Sequence, residues 1–342
     1  MTSEVCTIGL DLAKNAFQVH GADAAGAVVL RKQLRRGQVL KFFADQPRCL
    51  VAMEACGSSH FWAREIGRLG HEVRMIPPAY VKPFVKRQKN DAADAEAICE
   101  AAQRPTMRFV GVKSEATQGA AVMLRTRDLL LRQRTQTINA LRGHLAEFGH
   151  VAPQGLGHAS KLTAMIDDPE TVLPEPARAA LRFLTATLSQ LNDQIGVLDA
   201  EIVRRTREDE KARRLMTIPG VGPLVASALV ALAPSPETFK RGRDFAAWLG
   251  LVPRQHSTGG KQRLGSTTKM GERSLRRLLI MGAHSELIWR KRKGATPGSW
   301  LANMLASKPP MLVRVALANK MASIVWAIMA RGETYRASVA AA

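Results

Sequence analysis

Val5-Cys6-Thr7-Ile8-Gly9-Leu10-Asp11 is a short apolar run that stops on a carboxylate, and the same pattern returns at Cys49-Leu50-Val51-Ala52-Met53-Glu54. Apolar runs of this length, bounded by polar or turn residues, predict buried strands. Each of these two delivers an acid at its C-terminal end. Ala27 to Leu30 predicts another strand, with Gly21 to Gly26 as the turn before it, and Val73 to Ile76 a fourth, stopped by Pro77 and Pro78. Helices are predicted at Gln38 to Phe43 and at Phe61 to Leu69, the latter closed by Gly70. The alanine-rich stretch from Asp91 to Gln103 predicts a third, with acids in the first turn where the helix dipole favours them. This alternation predicts an α/β domain with a partly parallel sheet over residues 1–112.

Beyond it the texture is helical. Leu124, Leu131, Ile138, Leu141 and Leu145 fall near a seven-residue spacing, and Leu181, Leu184, Leu188, Leu191, Ile195, Leu198 and Ile202 repeat the style. Glycine and proline interrupt the chain between them, over 150–176. Two long helices in an antiparallel hairpin or coiled coil fit residues 113–210, and an ordinary helical bundle fits the same pattern. A coiled coil there would assemble a homo-oligomer. Residues 211–342 form a third region. Its Ile218-Pro219-Gly220-Val221-Gly222-Pro223 precedes an apolar helix, Leu224 to Leu232, and resembles a helix-hairpin-helix turn. In such a turn Gly220 and Gly222 let backbone N–H groups approach a DNA phosphate; a bare turn is the alternative. Pro310 to Ala330 closes the chain as a helix with Trp326 on its apolar face.

The 342 residues carry 50 Lys+Arg against 29 Asp+Glu, a net charge of +21. Residues 216–342 hold 19 basic and 5 acidic residues, so two thirds of the excess sits there. Such a charge predicts a polyanionic partner. No apolar run is read as long enough for a bilayer, so no membrane partner is expected. Met1-Thr2-Ser3-Glu4 shows no secretory signal, which predicts a cytoplasmic, nucleoid-associated protein. Cys6, Cys49, Cys56 and Cys99 lack metal or redox spacing and read as buried reduced thiols.

Asp11 and Glu54 end strands, while Asp91 and Asp94 share a helix face at i and i+3. Four such carboxylates form a site for Mg²⁺, or Mn²⁺, whose ions flank a phosphodiester and stabilise attacking and leaving oxygens. Each acid taken singly also fits a helix cap or a solvated side chain. Around His256-Ser257-Thr258-Gly259-Gly260-Lys261 the residues alone read as a mobile basic loop. There Gly259 and Gly260 permit close phosphate approach, and Arg254, Lys261 and Arg263 neutralise it. His256 fits a general base or a solvated side chain. Lys269, Arg273, Arg276 and Arg277 fit backbone-phosphate contacts or a solvated face.

The runs Ile8-Gly9-Leu10-Asp11-Leu12-Ala13-Lys14, Val51-Ala52-Met53-Glu54-Ala55 and Lys89-Asn90-Asp91-Ala92-Ala93-Asp94-Ala95 resemble the acidic motifs of a RuvC-like nuclease domain. The second half is similar to the C-terminal domain of the DEDD-type insertion-sequence transposases, the Piv/MooV recombinase family. The carriers are Ile218 to Pro223, Phe245-Ala-Ala-Trp-Leu-Gly-Leu-Val-Pro-Arg254, His256 to Lys261, Lys269-Met-Gly-Glu-Arg273 and Leu275-Arg276. The resemblance covers most of the chain. It implies a RuvC-like (RNase H-like) N-terminal domain, an all-α coiled coil and a helical C-terminal domain. It gives Asp11, Glu54, Asp91 and Asp94 the family's metal-binding places and Ser257 the place of its DNA-attacking serine, with Thr258 standing between that serine and Gly259. It further implies a structured RNA from the same element that pairs with donor and target DNA.

Three rivals are weighed against this. A metal-only junction resolvase needs the acids but no serine. A tyrosine recombinase using Tyr335 leaves the acids unexplained. A basic RNA-binding or architectural protein has no reason to gather carboxylates beside a polyanion. The expectation is a transposase acting on double-stranded DNA through Mg²⁺ and Ser257, as a dimer or tetramer.

Overall fold

The computed structural model describes residues 4–86, 90–294 and 298–336; Met1 to Ser3, and Lys89 at the head of the third acidic motif, lie outside the described residues. The chain divides into two compact units, Met1–Glu115 and Ala116–Ala342.

The first unit is built on five strands, β1 (Thr7–Asp11), β2 (Ala16–Ala22), β3 (Val28–Arg35), β4 (Leu50–Glu54) and β5 (Glu72–Ile76). Their order is β3-β2-β1-β4-β5. Strands β1, β2 and β3 pair antiparallel, whereas β1, β4 and β5 run parallel. This mixed sheet is compatible with the RuvC-like expectation. Strand β2 corrects the sequence reading, which had placed a turn from Gly21. The turn is Asp23 to Gly26, and Phe17 and Val19 face inward at period two. Polar Gln18 and His20 break the apolar run that would have revealed the strand.

Side-chain alternation splits the sheet into two faces. Ile8, Leu10, Phe17, Val51 and Met53 pack with Phe43, Trp62 and Ile66. These last belong to helices α1 (Val39–Ala44) and α2 (Ser59–Arg68). Ala52 and Ile76 pack the other way, with Val81, Ala97, Ile98 and Ala101, from helices α3 (Pro78–Val81) and α4 (Asp91–Ala102). Burying each large apolar side chain contributes roughly 1.5–3 kcal/mol.

Gly9 sets how close α4 comes. A Cβ there would lie 2.1 Å from the Ala95 carbonyl oxygen and 2.6 Å from the Cys99 nitrogen. The Cys99 thiol points to the Thr7 carbonyl at 3.7 Å. The helix therefore runs antiparallel to β1, with Cys99 over Thr7 and Ala95 over Gly9. One further step matches two strand residues, ~6.6 Å, to four helix residues, ~6 Å, and brings Asp91 over Asp11.

The second unit is mostly helical. Helices α5 (Glu115–Glu147) and α7 (Glu175–Glu208) form an antiparallel pair, bridged by α6 (Ala159–Asp167). Leu181, Leu188, Ile195 and Ile202 are buried every seventh residue along α7. Arg134 donates to Asn192 at 3.4 Å and Arg127 holds Asp199 in a two-point pair, so these α5 positions carry polar cross-links. At the far end Ile138, Leu141 and Leu145 pack on Leu181, Leu188, Leu162 and Ile166.

The remaining elements are α8 (Glu210–Leu215), α9 (Pro223–Leu232), α10 (Gly242–Trp248), β6 (Pro253–Gln255), β7 (Leu264–Thr267), α11 (Arg273–Lys293), α12 (Trp300–Ser307) and α13 (Pro310–Arg331). Against the sequence reading, α13 has the length and hydropathy of a membrane span. Its Val313, Ala318, Met321, Ala322, Val325 and Ile328 are buried, and all but Val313 join the core shared with α9, α10 and α11, which is how a core helix behaves. A second correction concerns the thiols: Cys49 and Cys99 are buried, Cys6 and Cys56 exposed, and all four are free.

Gly9→Ala is expected to destabilise the protein by about 1–3 kcal/mol through overpacking against α4. Gly37, where a Cβ meets nothing within 4 Å, supplies the control and should tolerate alanine. Urea midpoints measure both; equal midpoints for wild type and Gly9→Ala would contradict the close seating of α4.

Candidate metal centre and serine hairpin

Strand β1 ends at Asp11 and helix α4 begins at Asp91, so the glycine contact joins a strand end to a helix start. The ligand oxygens of Asp11, Asp91 and Asp94 all lie within 4.8 Å of one another. Asn90 caps the helix by accepting from the Ala92 N–H at 2.9 Å. The freed amide dipoles there offset part of the carboxylate repulsion. Glu54 stands at the end of neighbouring β4, where Leu10 pairs with Met53 in the parallel register. It lies outside the tight group of three, yet it senses it.

The electrostatics record this crowding. Burial, then the charges of Asp94, Asp91 and Glu54, push Asp11 up to about 6 from the ordinary carboxylate value. Burial, then the charge of Asp94, also raises Glu54. Like charges held together in a partly desolvated pocket are costly unless a cation compensates them. An octahedral ion with oxygens at about 2.0–2.1 Å needs ligand oxygens within roughly twice that distance of one another. At up to 4.8 Å the three aspartates stand slightly wider than this, within reach of small side-chain rotations that would close them on an ion, with Glu54 beside them to bind or to orient.

Ser257 lies in a β-hairpin rather than in the mobile loop its residues alone suggest. Gln255 pairs with Leu264, and the His256 N–H donates to the Arg263 carbonyl at 2.9 Å. The Lys261 N–H closes the turn on the Thr258 carbonyl at 3.0 Å. Gly259 and Gly260 have φ of 54° and 78°, as the mirrored two-residue hairpin turn requires. The Ser257 hydroxyl oxygen accepts the Arg263 N–H at 3.2 Å. Thr258 is the first residue of the turn, so the two neighbouring hydroxyls occupy different places in the ladder.

The hairpin's root is rigid. A Cβ at Gly271 would sit 1.7 Å from the Trp248 carbonyl oxygen, and one at Gly250 2.2 Å from that of Met270. Arg276 donates to the carbonyls of Leu249 at 3.0 Å and Met270 at 2.7 Å, one on each side of the root. Asn319 donates to the Leu251 carbonyl at 3.1 Å.

The predicted phosphate contacts separate accordingly. Arg276 is occupied by the two root carbonyls, and Arg277 pairs with Asp128 at 2.6 Å. Among the described residues, Arg254, Lys261, Arg263, Lys269 and Arg273 pair with no carboxylate, and all five are exposed. Gly220 has φ +84°, and a Cβ there would meet the Gly282 carbonyl at 2.6 Å, so it seats the turn against α11. Gly222 is exposed at the start of α9 with open space around it. The sequence reading missed Gly9 as the residue that assembles the acids. A glycine within a strand, two residues before the acid on the same face, was the available signal.

Comparison with known proteins agrees across the chain. A transposase model of the DEDD type in the IS110 group matches residues 8–150, and the model described as "Transposase IS116/IS110/IS902 family" matches residues 212–296. A protein of Pseudomonas aeruginosa called a probable family 20 transposase is 50% identical over 96% of this chain and 98% of its own. The transposase for insertion sequence element IS1328 of Yersinia enterocolitica is 39% identical, covering 97% and 98%. That for IS1111A of Coxiella burnetii is 37% identical, covering 97% and 92%.

A folded-state pKa near 6 makes Asp11 bind an extra proton below that pH in the metal-free protein. Its contribution to stability is thus greatest in acid, falls as pH rises from the ordinary carboxylate range through about 6, and is flat above. Asp11→Asn removes the charge. The metal-free variant should therefore gain on wild type in melting temperature as pH rises through this window. At neutral pH, millimolar Mg²⁺ or Mn²⁺ should raise the wild-type melting temperature and leave Asp11→Asn unmoved. An equal metal response in both proteins would place the ion elsewhere.

Proposed function

The chain belongs to the IS116/IS110/IS902 family of insertion-sequence transposases, enzymes that cut and rejoin DNA, and we propose that it does so with a RuvC-like acid cluster and a serine nucleophile. The observation that carries the reading is the convergence of Asp11, Asp91 and Asp94 within 4.8 Å, with Glu54 on the adjoining strand. We assign them to Mg²⁺, with Mn²⁺ as a substitute. The ion, when bound, supplies Lewis-acid stabilisation of charge on a transferring phosphate.

In the proposed cycle the Ser257 oxygen attacks a phosphorus of the DNA backbone. A new phosphorus–oxygen bond to serine forms, the bond to one deoxyribose oxygen breaks, and the serine proton ends on that leaving oxygen. Rejoining reverses the steps with a deoxyribose hydroxyl of another strand. The phosphodiester energy is conserved, so no external energy source is required. The Arg263 N–H on the Ser257 hydroxyl favours the developing negative charge, and Arg254, Lys261 and Arg263 neutralise the phosphate. His256, its neighbour in sequence, is our candidate for accepting the serine proton.

The remaining parts of the proposal follow the family resemblance. Residues 1–112 form the metal-dependent nuclease domain, 113–210 the helical region through which subunits assemble, and 211–342 the basic DNA-binding domain. Assembly is as a dimer or tetramer, since recombination joins two duplexes. A structured RNA from the element pairs with donor and target. The work is done at the nucleoid, in the cytoplasm.

The experiment is a denaturing gel of labelled DNA after reaction, with and without protease. Wild type should give a slow, protease-sensitive band. Ser257→Ala should lose it and lower recombination on the order of a thousandfold or more, while Thr258→Val keeps it. Loss confined to Thr258→Val would move the nucleophile by one residue. Free DNA ends with Ser257→Ala fully active would reject covalent catalysis in favour of metal-activated water.

A further inference from the structure

Of the five tryptophans, Trp62, Trp248 and Trp326 serve the cores. Trp62 is buried against Phe17, Trp248 stacks on Phe245, and Trp326 donates to the Pro236 carbonyl at 3.0 Å. Trp289 and Trp300 belong to no apolar cluster among the described residues and are 45% and 37% exposed. Leaving two large indoles more than a third exposed forgoes burial that the rest of the chain exploits.

Each carries cations instead. The Arg290 guanidinium and the Lys293 ammonium stand 4.9 and 5.0 Å from the Trp289 ring centre. The Lys320 ammonium stands 4.6 Å from the ring of Trp300. Arg290 is also held by Glu286 at 2.8 Å, which fixes it beside the indole. No carboxylate among the described residues pairs with Lys291, Arg292 or Lys293. From Leu287 to Gly332 the chain has eight Lys or Arg and no Asp or Glu. Basic residues in the last turn of α11 complement its helix dipole, which accounts for charge at that place but not for the exposed indoles.

We propose that the C-terminal end of α11, with Trp289 at its centre, is a binding site for an unpaired DNA strand, a nucleobase stacking on the indole and the flanking phosphates meeting Arg292 and Lys293. Every base has a π-face, so such a platform is sequence-tolerant, and the cations give it a phosphate track. Trp300 with Lys320 offers a second platform of the same kind on this unit. DNA is the occupant because cutting and rejoining exposes unpaired strands. A duplex keeps its bases stacked and out of reach. The inference rests on the family membership and not on which hydroxyl attacks, and binding is measured without divalent metal so that no cleavage step enters.

The test uses the full-length protein with a labelled oligo-dT, the same sequence as oligo-U, and a duplex of equal length. Trp289→Ala should weaken oligo-dT binding by about five- to 100-fold, leave duplex binding within about twofold and keep the slope of affinity against salt. Trp289→Phe should retain most of the affinity. Lys293→Gln should lower the salt slope by about one phosphate's worth. Melting temperatures check that the variants fold; Trp289 is exposed, and the phenylalanine variant reads stacking independently of the alanine variant. Unchanged oligo-dT binding in Trp289→Ala, or equal losses on strand and duplex without rescue by phenylalanine, would overturn the proposal. Wild-type binding of oligo-U tighter than of oligo-dT, lost with Trp289, would overturn DNA as the occupant.

Discussion

Helix α4 lies so close on strand β1 that a side chain at residue 9 would collide with its backbone, and the acid cluster depends on that contact. The two elements differ in rise per residue, but four residues of helix nearly equal two of strand, so they stay in step across the contact. Thr7, Gly9 and Asp11 therefore meet Cys99, Ala95 and Asp91 in turn. Leu10, on the other face, is fully buried against the α1–α2 side and anchors the strand there. An acid at a strand end and two in the first turn of a helix thus reach the same point in space. The sheet supplies the fourth, since parallel pairing of β1 with β4 keeps Glu54 level with Asp11.

This arrangement stores electrostatic cost within a protein of net charge +21. Burial, and then the charges of Asp94, Asp91 and Glu54, lift Asp11 to about 6, which a core built for stability alone would avoid. A divalent cation at this point would convert the cost into affinity. The second unit follows the opposite logic. Its serine hairpin is exposed and rich in cations, while its root is fixed by two glycine close contacts and by Arg276 spanning both sides. Close packing under an exposed tip lets a short hairpin keep its geometry.

Much of this was legible in the chain. Asp11 and Glu54 closing apolar runs, and Asp91 with Asp94 at helical spacing, marked the acid cluster, because burial and periodicity are written locally. The long helices and the turn before α9 were legible for the same reason. Strand β2 was not, since Gln18 and His20 interrupt its apolar pattern and only pairing with β1 and β3 makes it a strand. The serine hairpin was read as a loop, because its ladder runs through exposed polar residues that carry no hydrophobic signal. Arg276 and Arg277 read as phosphate ligands because charge in a basic domain suggests it; their partners, the root carbonyls and Asp128, are distant in sequence or backbone atoms. Apolar α13 shows the converse, where hydropathy overstates the membrane and packing decides.

The most direct measurement of the central claim is anomalous scattering from crystals of the wild-type protein soaked in Mn²⁺. The account predicts a peak within coordination distance of the carboxylates of Asp11, Asp91 and Asp94, at the β1–α4 junction. A peak bound by other residues, or no peak at that junction while Mn²⁺ supports recombination by the same protein, would contradict it.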